Sequence, residues 1–360
     1  MKTSIKSGLA LACAMFFMFS CEETTINPEN ENDTNGTTEI PGKKSKSTGR
    51  SSASIGIVGS EADVSRTTTQ GTVLMGGGND VDEAIQWMIN KSGGGDFVVL
   101  RATGTDAYNS YIYGLGSVNS VETLLINSRT LANDPGVEAT IRGAEALFIS
   151  GGDQYNYVNY WKDTKVESAI NYLINTKKVP VGGTSAGCAI QGDAYFDASN
   201  GTVYSDEALD NPYNQYMTLQ RGNFLNVPYL GNTITDTHYD NPDRRGRHLT
   251  FLARMNKDWG MTAKGIGVDE GTAVCIESNG KARVFGSGYA FFLRQNGAGP
   301  ERCQAGASLD WYRNRQAVRV YKIMGNSSGS RYLWLDTWTS GSGGSWQYYY
   351  ADRGTLRISY

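Results

Sequence analysis

A serine in a glycine-rich turn gives the strongest chemical signal in the sequence. Gly183, Ser185 and Gly187 form a G-x-S-x-G pattern directly after the apolar run 179–181. Small residues on both sides permit a sharp strand-to-helix turn, which exposes the serine hydroxyl and turns the N–H of Ala186 towards a reacting oxygen. The N-terminus of the following helix would favour an oxyanion. The pattern predicts a nucleophilic serine; the alternative is an inert serine in a turn.

A nucleophilic serine needs a base, and the chain has only two histidines. His238 follows the predicted strand 232–235, and ligands bind at the carboxyl ends of strands in open α/β folds. His248 stands at helical spacing before Leu249, so we expect a structural role for it. His238 is therefore the expected base.

The base in turn needs a carboxylate that fixes its tautomer. Glu270 ends the apolar run 265–268, and Asp236 precedes His238 by two residues, which on a strand places both on one face. Spacing alone leaves both carboxylates open. The order nucleophile, histidine, carboxylate differs from that of α/β-hydrolases, in which the histidine comes last.

Alternating strands and helices predict the scaffold of this site. Apolar runs predict strands at 72–75, 97–100, 123–126, 146–149 and 179–181, and apolar residues at i, i+3, i+4, i+7 and i+8 predict a helix over 166–174. Fully apolar strands that alternate with helices indicate a parallel sheet covered on both faces. We assign this α/β domain to residues 70–294.

The last part of the chain has a different pattern. Strand-like runs at 318–321, 331–338 and 347–350 are separated by Gly/Ser turns, which predicts a β-rich appendage over 295–360. Four tryptophans there allow two interpretations, a small β core or a sugar-binding surface, and we favour the core. These are Trp311, Trp334, Trp338 and Trp346.

The N-terminus is typical of an exported lipoprotein. Two lysines precede an apolar run at 9–19 that is too short to span a bilayer, and Ser20-Cys21 follows. Residues 1–21 are therefore predicted to be a lipoprotein signal with lipidation at Cys21, rather than an ordinary secretory signal. The polar stretch 22–69 is predicted to be a disordered tether. We expect the mature protein at the outer membrane or cell surface.

Charge and cysteine content limit the classes of partner. The net charge of −3 argues against a nucleic-acid binder. Cys188 and Cys275 lie in apolar stretches and are expected in the core, whereas a disulfide that involves Cys303 stays open. The predicted chemistry needs no metal and no cofactor. A homodimer is one assembly that we consider.

Four motifs, taken in order, resemble the cyanophycinase/peptidase E family. They are Gly151-Gly152-Asp153-Gln154, the turn Gly182-Gly183-Thr184-Ser185-Ala186-Gly187, Asp236-Thr237-His238 and Gly267-Val268-Asp269-Glu270. The resemblance extends over about residues 70–295. It implies a flavodoxin-like fold, similar to class I glutamine amidotransferases, with helices on both sides of a parallel sheet.

The resemblance also implies roles for individual residues. It makes Ser185 the nucleophile, His238 the base and Glu270 the orienting acid, which favours Glu270 over Asp236. The backbone N–H groups of Gly152 and Ala186 would form the oxyanion hole. Residues that would line the substrate pocket are Gln154, Asp236, Arg244 and Arg247.

One departure from the family concerns the substrate. Cyanophycinases follow the histidine with three spaced arginines, and here the first has become Pro242 while Arg244 and Arg247 remain. Proline cannot make the bidentate carboxylate contacts of a guanidinium. We therefore expect an aspartyl or β-aspartyl peptide or isopeptide substrate rather than cyanophycin. The alternative for the two arginines is a solvated helix face.

Two functions from different classes follow. One is a serine peptidase that acts through an acyl-enzyme on Ser185. The alternative is a catalytically retired binding lipoprotein that uses the same fold and the β appendage. An amidotransferase-like enzyme lacks support, because a serine stands where those enzymes use cysteine.

The predicted lipidation can be tested by labelling. Radiolabelled palmitate should enter the wild-type protein and not Cys21→Ala, because the Cys21 thiol is the site of lipid attachment. Multiple acyl chains would anchor the protein stably, which a single chain does not. Equal labelling of the two proteins would contradict the lipoprotein interpretation.

Overall fold

The computed structural model describes residues 51–222 and 224–360. The predicted signal 1–21 with Cys21, and the tether as far as residue 50, lie outside the described residues. Within the described part, no helix is long and apolar enough to cross a membrane. Its three cysteines, Cys188, Cys275 and Cys303, are buried and free, so none of them forms a disulfide there.

The strands up to the end of the predicted α/β domain are short and largely buried. They are β1 (Ser54–Gly59), β2 (Gly71–Met75), β3 (Asp96–Arg101), β4 (Ser120–Leu125), β5 (Ala146–Ile149), β6 (Pro180–Thr184), β7 (Ala194–Phe196), β8 (Leu219–Arg221), β9 (Thr233–Asp236), β10 (Lys264–Val268), β11 (Thr272–Glu277), β12 (Lys281–Gly286) and β13 (Tyr289–Gln295). The C-terminal strands are β14 (Arg302–Gln304), β15 (Ala307–Asp310), β16 (Val318–Met324), β17 (Tyr332–Trp334), β18 (Gly341–Ser342), β19 (Gly344–Asp352) and β20 (Thr355–Ser359).

The helices connect these strands. They are α1 (Asp82–Lys91), α2 (Ala107–Leu115), α3 (Arg129–Ala132), α4 (Pro135–Gly143), α5 (Gln154–Trp161), α6 (Lys165–Tyr172), α7 (Ala186–Ala189), α8 (Ser205–Asp210) and α9 (Arg245–Trp259); a π-turn Leu173–Lys177 continues α6, and Arg313–Arg315 is a 3₁₀ turn. Capping side chains fix where several of these helices begin. Asp134, for example, accepts the N–H groups of Gly136 and Val137 and so caps α4 at Pro135.

The first sheet carries the predicted parallel core. Its ten strands run in the order β1-β4-β3-β5-β6-β2-β11-β12-β17-β18, and the five from β4 to β2 are parallel. Neighbouring side chains on β2 enter different cores: Val73 packs with α1 and α2, whereas Leu74 packs on the opposite face with α4 and α6. Both faces are therefore covered, which explains the unbroken apolar runs.

A second sheet of eight strands corrects the expectation of one sheet. Its order is β20-β19-β16-β13-β10-β9-β7-β8, with parallel pairing only among β7, β9 and β10. Ile266 and Phe292 share a core with the first sheet, and α8 and α9 cover the other face. β11 pairs with the edge of β2 in the first sheet, so β9 and β10 pair in the second sheet instead.

The C-terminal region is rich in β-strands, as predicted, but it is no separate body. β16, β19 and β20 extend the second sheet, whereas β17 and β18 extend the first, and all described residues belong to one compact unit. Trp311 and Trp338 are buried, which confirms the core interpretation for these two. Trp334 and Trp346 are half-buried.

The predicted tether is wrong in its last part. β1 pairs antiparallel with β4 at the edge of the first sheet, and Ala53 is buried beside it. The folded chain therefore begins before residue 70. The strand itself is apolar, with Ile55, Ile57 and Val58, but it is short and lies inside a long polar stretch, so the composition of the whole stretch hid it.

His248 is fully buried in α9, as expected of a structural histidine. Its Nδ1 lies 3.2 Å from the Tyr239 hydroxyl, and the absence of a side chain at Gly265 leaves room for the ring. Burial lowers the pKa of His248 to about 4; Asp236 acts against the shift and Arg247 adds to it. The folded protein therefore holds this imidazole neutral.

This burial predicts a loss of stability in acid. The pKa of His248 is about 6.5 in the unfolded chain and about 4 in the folded chain. Between these two values the unfolded chain binds more protons, so the free energy of unfolding should fall as the pH drops. We expect a contribution of about 2 kcal/mol between pH 7 and pH 5. Urea unfolding of wild type and His248→Gln over that range isolates this contribution, because other groups cancel in the difference. Parallel pH profiles would contradict it.

Candidate active site

The Ser185 turn has the geometry of an exposed nucleophile. Ser185 joins β6 to α7 with φ 51° and ψ −117°, a conformation that L-residues rarely adopt. Any side chain at Gly183 or Gly187 would overlap neighbouring backbone, that of Gly187 or Ile149 respectively. The glycines therefore permit the close strand–helix packing that exposes the hydroxyl.

His238 reaches the serine from the end of the second sheet. It follows β9 with φ 47°, and its N–H donates to the Gly76 carbonyl at 2.8 Å. The Ser185 Oγ lies 2.8 Å from His238 Nε2. A Cβ at Gly77 would overlap the imidazole, so the glycine turn after β2 makes the space in which the base lies.

Glu270 completes a chain of hydrogen bonds. It follows β10, and its Oε1 lies 2.6 Å from His238 Nδ1. The glutamate side chain is 34% exposed and the histidine 24% exposed, so both groups retain access to water. The structure thus brings together the three residues that the sequence predicted, from three strand ends in two sheets. It also leaves Glu270, and not Asp236, in contact with the base.

Asp236 is committed to a different partner. Its two carboxylate oxygens accept hydrogen bonds from Arg247 Nε and Nη2, at 2.9 and 2.5 Å, and both side chains are 4% exposed. Burial alone would raise the pKa of Asp236, but the charge and hydrogen bonds of Arg247 outweigh it and the pKa is lowered. Arg247 also donates to the Thr202 hydroxyl at 3.1 Å. The alternative of a solvated helix face is therefore wrong for Arg247.

Arg244 is a second cation in the wall of the site, and its charge is offset only at a distance, by Asp236 and Glu270. Its Nη1 donates to the Thr237 carbonyl at 3.0 Å, while its buried Nε has no partner among the described residues. Burial and the neighbouring Arg247 lower the pKa of Arg244 to about 10, so it remains a cation at neutral pH. No carboxylate of the described chain forms an ion pair with it.

These groups surround a cavity of about 320 Å³. All the residues predicted to line a substrate pocket lie there, together with the serine and the base. The lining residues are Gly152, Asp153, Gln154, Ser185, Ala186, Ala189, Phe196, Ala198, Gly201, Thr202, Thr235, Asp236, Thr237, His238, Arg244 and Arg247. The cavity is therefore polar, with one buried ion pair and one further guanidinium in its wall.

The predicted oxyanion donors lie beside the nucleophile. Gly152 has φ 149°, and a Cβ at Gly151 would lie 3.5 Å from the Ser185 Cβ. The Ala186 N–H is the first of α7 and has no acceptor within the helix. Neither this N–H nor that of Gly152 finds an acceptor in the described part of the chain. Both are free to bind an oxygen on the reacting carbon.

Sequence reasoning missed two features of the site. One is the turn Gly76-Gly77-Gly78, which packs on the base and on Glu270; three glycines after a buried strand were its signal. The other is Asp240, whose Oδ1 accepts the Glu270 N–H at 3.1 Å. No motif marked this aspartate, because its role depends on a contact across the fold.

Known proteins of one family match the part of the chain that holds this site. The model of peptidase family S51 matches residues 105–284, which is half of the chain. A cyanophycinase of Nostoc sp. is 29% identical over 168 residues, which cover 47% of this chain and 51% of that protein. A cyanophycinase of Synechococcus elongatus is 30% identical over 172 residues, or 48% of each chain. The chain spans about half the length of the curated relatives it matches.

Among solved structures, a peptidase from an acI-B1 actinobacterium is similar, with 16% sequence identity and a TM-score of 0.46 over 67% of this chain and 97% of that chain. The matched segment of the family model contains the Ser185 turn, His238 and Glu270. The predicted cyanophycinase/peptidase E relationship is thus confirmed, and the chain belongs to peptidase family S51.

Proposed function

We propose that this protein is a serine peptidase that cleaves a peptide or isopeptide bond beside an acidic group. The observation that carries the proposal is the continuous hydrogen-bond chain from Ser185 Oγ through His238 to Glu270. Membership of a peptidase family supports the same class of reaction. The residues present suffice for hydrolysis without a further group.

The geometry suggests how each residue acts. His238 Nε2 takes the proton of the Ser185 hydroxyl as the oxygen attacks the scissile carbonyl, and Glu270 stabilises the imidazolium that forms. The N–H groups of Gly152 and Ala186 bind the developing oxyanion. His238 then protonates the leaving amine, and the acyl-enzyme on Ser185 is hydrolysed by water that His238 activates in turn.

The cavity supports selection of an acidic substrate. Because Arg247 is paired with Asp236, we assign carboxylate recognition to Arg244, which forms no ion pair with a carboxylate of the described residues. An aspartyl or β-aspartyl group would complete the missing pair. The relatives are named cyanophycinases, but Pro242 occupies the position of one of their three arginines, so a smaller aspartyl substrate fits better than the polymer.

The alternative of a retired binding protein explains less. A binding site would not need the strained serine turn, the free N–H donors and the paired imidazole in one place. Strain of this kind costs about 1–3 kcal/mol and persists where the surrounding structure enforces it. We further propose, from the predicted signal and Cys21, that the enzyme acts while anchored by lipid at the cell envelope.

Substitution of the nucleophile tests the reaction class. Ser185→Ala and His238→Ala should each lower kcat on an aspartyl peptide by about 10⁴-fold, because the covalent route is lost. The double variant should be little worse than either single variant, since the two residues act as a unit. His248→Gln, once thermal melting shows that it is folded, is the matched histidine control. Peptidase activity that survives Ser185→Ala would contradict the proposal.

The Arg244 assignment makes a prediction about specificity. A charge-assisted contact is worth about 1.5–3 kcal/mol, so Arg244→Ala should lower kcat/KM on an aspartyl peptide by about 10- to 150-fold. The loss should be much smaller on the matching asparaginyl peptide, which carries no charge. Arg254→Ala, which lies further along the helix that Arg244 precedes and is paired with Asp258, is the control. Equal losses on both peptides would contradict acid recognition by Arg244.

A further inference from the structure

Glu270 must hold its carboxylate towards the base although it lies in an accessible turn. The side chain is 34% exposed, so packing alone does not fix it. Its orientation depends on the backbone between β10 and β11, where two contacts act. The N–H of Gly271 donates to the Gly77 carbonyl at 3.0 Å, and the N–H of Glu270 donates to Asp240 Oδ1 at 3.1 Å.

The second contact links the acid to the segment that carries the base. Asp240 follows His238 by two residues, and the intervening Tyr239 donates its N–H to the Val268 carbonyl at 3.2 Å. The turn closes on itself, because the N–H of Asn241 donates to the His238 carbonyl at 3.3 Å. Asp240 is thus joined to His238 by a short, hydrogen-bonded turn and to Glu270 through its side chain.

This contact places one more carboxylate beside others. Asp240 lies near Asp269, whose pKa is raised to about 6, chiefly by burial; the charge of Asp240 acts in the same direction, and those of Lys322 and Arg245 act against it. Three carboxylates therefore lie on neighbouring parts of the site: Asp240, Asp269 and Glu270. Like charges placed together lower stability, and a backbone N–H would be satisfied equally well by water at an exposed turn. Neither fact favours an aspartate here on structural grounds.

We propose that Asp240 is a positioning residue for the Ser185–His238–Glu270 chain: its carboxylate fixes the Glu270 backbone so that Oε1 meets His238 Nδ1. This inference rests on the proposed peptidase function. The contribution comes from Oδ1 as a hydrogen-bond acceptor, and an asparagine in the same place can supply that acceptor. Small misplacements of a catalytic group lower turnover steeply, by up to about 100-fold for 1 Å.

The test compares Asp240→Ala with Asp240→Asn on the full chain. Asp240→Ala should lower kcat by about 10- to 100-fold with KM within about 2-fold, because substrate contacts are untouched. Asp240→Asn should keep kcat within about 3-fold of wild type, since its Oδ1 accepts the same N–H. Asp206→Ala removes another exposed carboxylate, which makes no contact with the triad, and should leave kcat unchanged. Thermal melting verifies that each variant is folded.

A spectroscopic readout separates positioning from general loosening of the fold. The proton between His238 Nδ1 and Glu270 should give a low-field NMR resonance, and the chain has only one other histidine, which is buried and stays neutral above about pH 5. The resonance should disappear in Asp240→Ala and persist in Asp240→Asn. The His248→Gln variant assigns it.

Two results would overturn the inference. One is an Asp240→Ala enzyme with wild-type kcat and an intact low-field resonance. The other is an equal loss in the alanine and asparagine variants, which would make the charge, and not the acceptor, responsible. Failure of the proposed function is a different outcome, because it would appear as activity that survives Ser185→Ala, whatever the behaviour of Asp240.

Discussion

The active site depends on how closely the turn after β2 approaches the ends of β9 and β10. Two backbone hydrogen bonds make this approach, from His238 to the Gly76 carbonyl and from Gly271 to the Gly77 carbonyl. They join the second sheet to the first at the edge where Ser185 lies. A side chain at Gly77 would overlap the imidazole, so only a glycine turn allows the nucleophile and the base to meet at 2.8 Å.

The two arginines at this edge differ in their pairing. Asp236 and Arg247 neutralise each other in the wall of the cavity, whereas Arg244 is half-buried and forms no ion pair with a carboxylate of residues 51–222 and 224–360. A buried ion pair is weak evidence for stability, but it fixes the position of both partners. In this site it keeps Asp236 away from His238, leaves Glu270 as the acid of the triad, and leaves one guanidinium facing the substrate space.

Much of this could be predicted from the sequence, and the exceptions share one cause. Apolar runs located β2, β3, β5 and β6 because these strands are buried on both faces, and glycine spacing located the Ser185 turn because few other residues fit it. Spacing could not show whether Asp236 or Glu270 is the acid of the triad, since both stand at strand ends. The contacts across the fold show it, because Asp236 is hydrogen-bonded to Arg247. Likewise, β1 and the second sheet depend on which strand edges are vacant, and periodicity does not encode strand partners.

The central claim is that Ser185 is a nucleophile activated by His238. Peptide mapping by mass spectrometry, after reaction with a fluorophosphonate, tests it most directly. The account predicts one covalent adduct, on Ser185, which forms at least about 100-fold more slowly in His238→Ala, because the base within hydrogen-bond distance of Oγ is gone. An adduct on another residue, or an equal rate of labelling in His238→Ala, would contradict it.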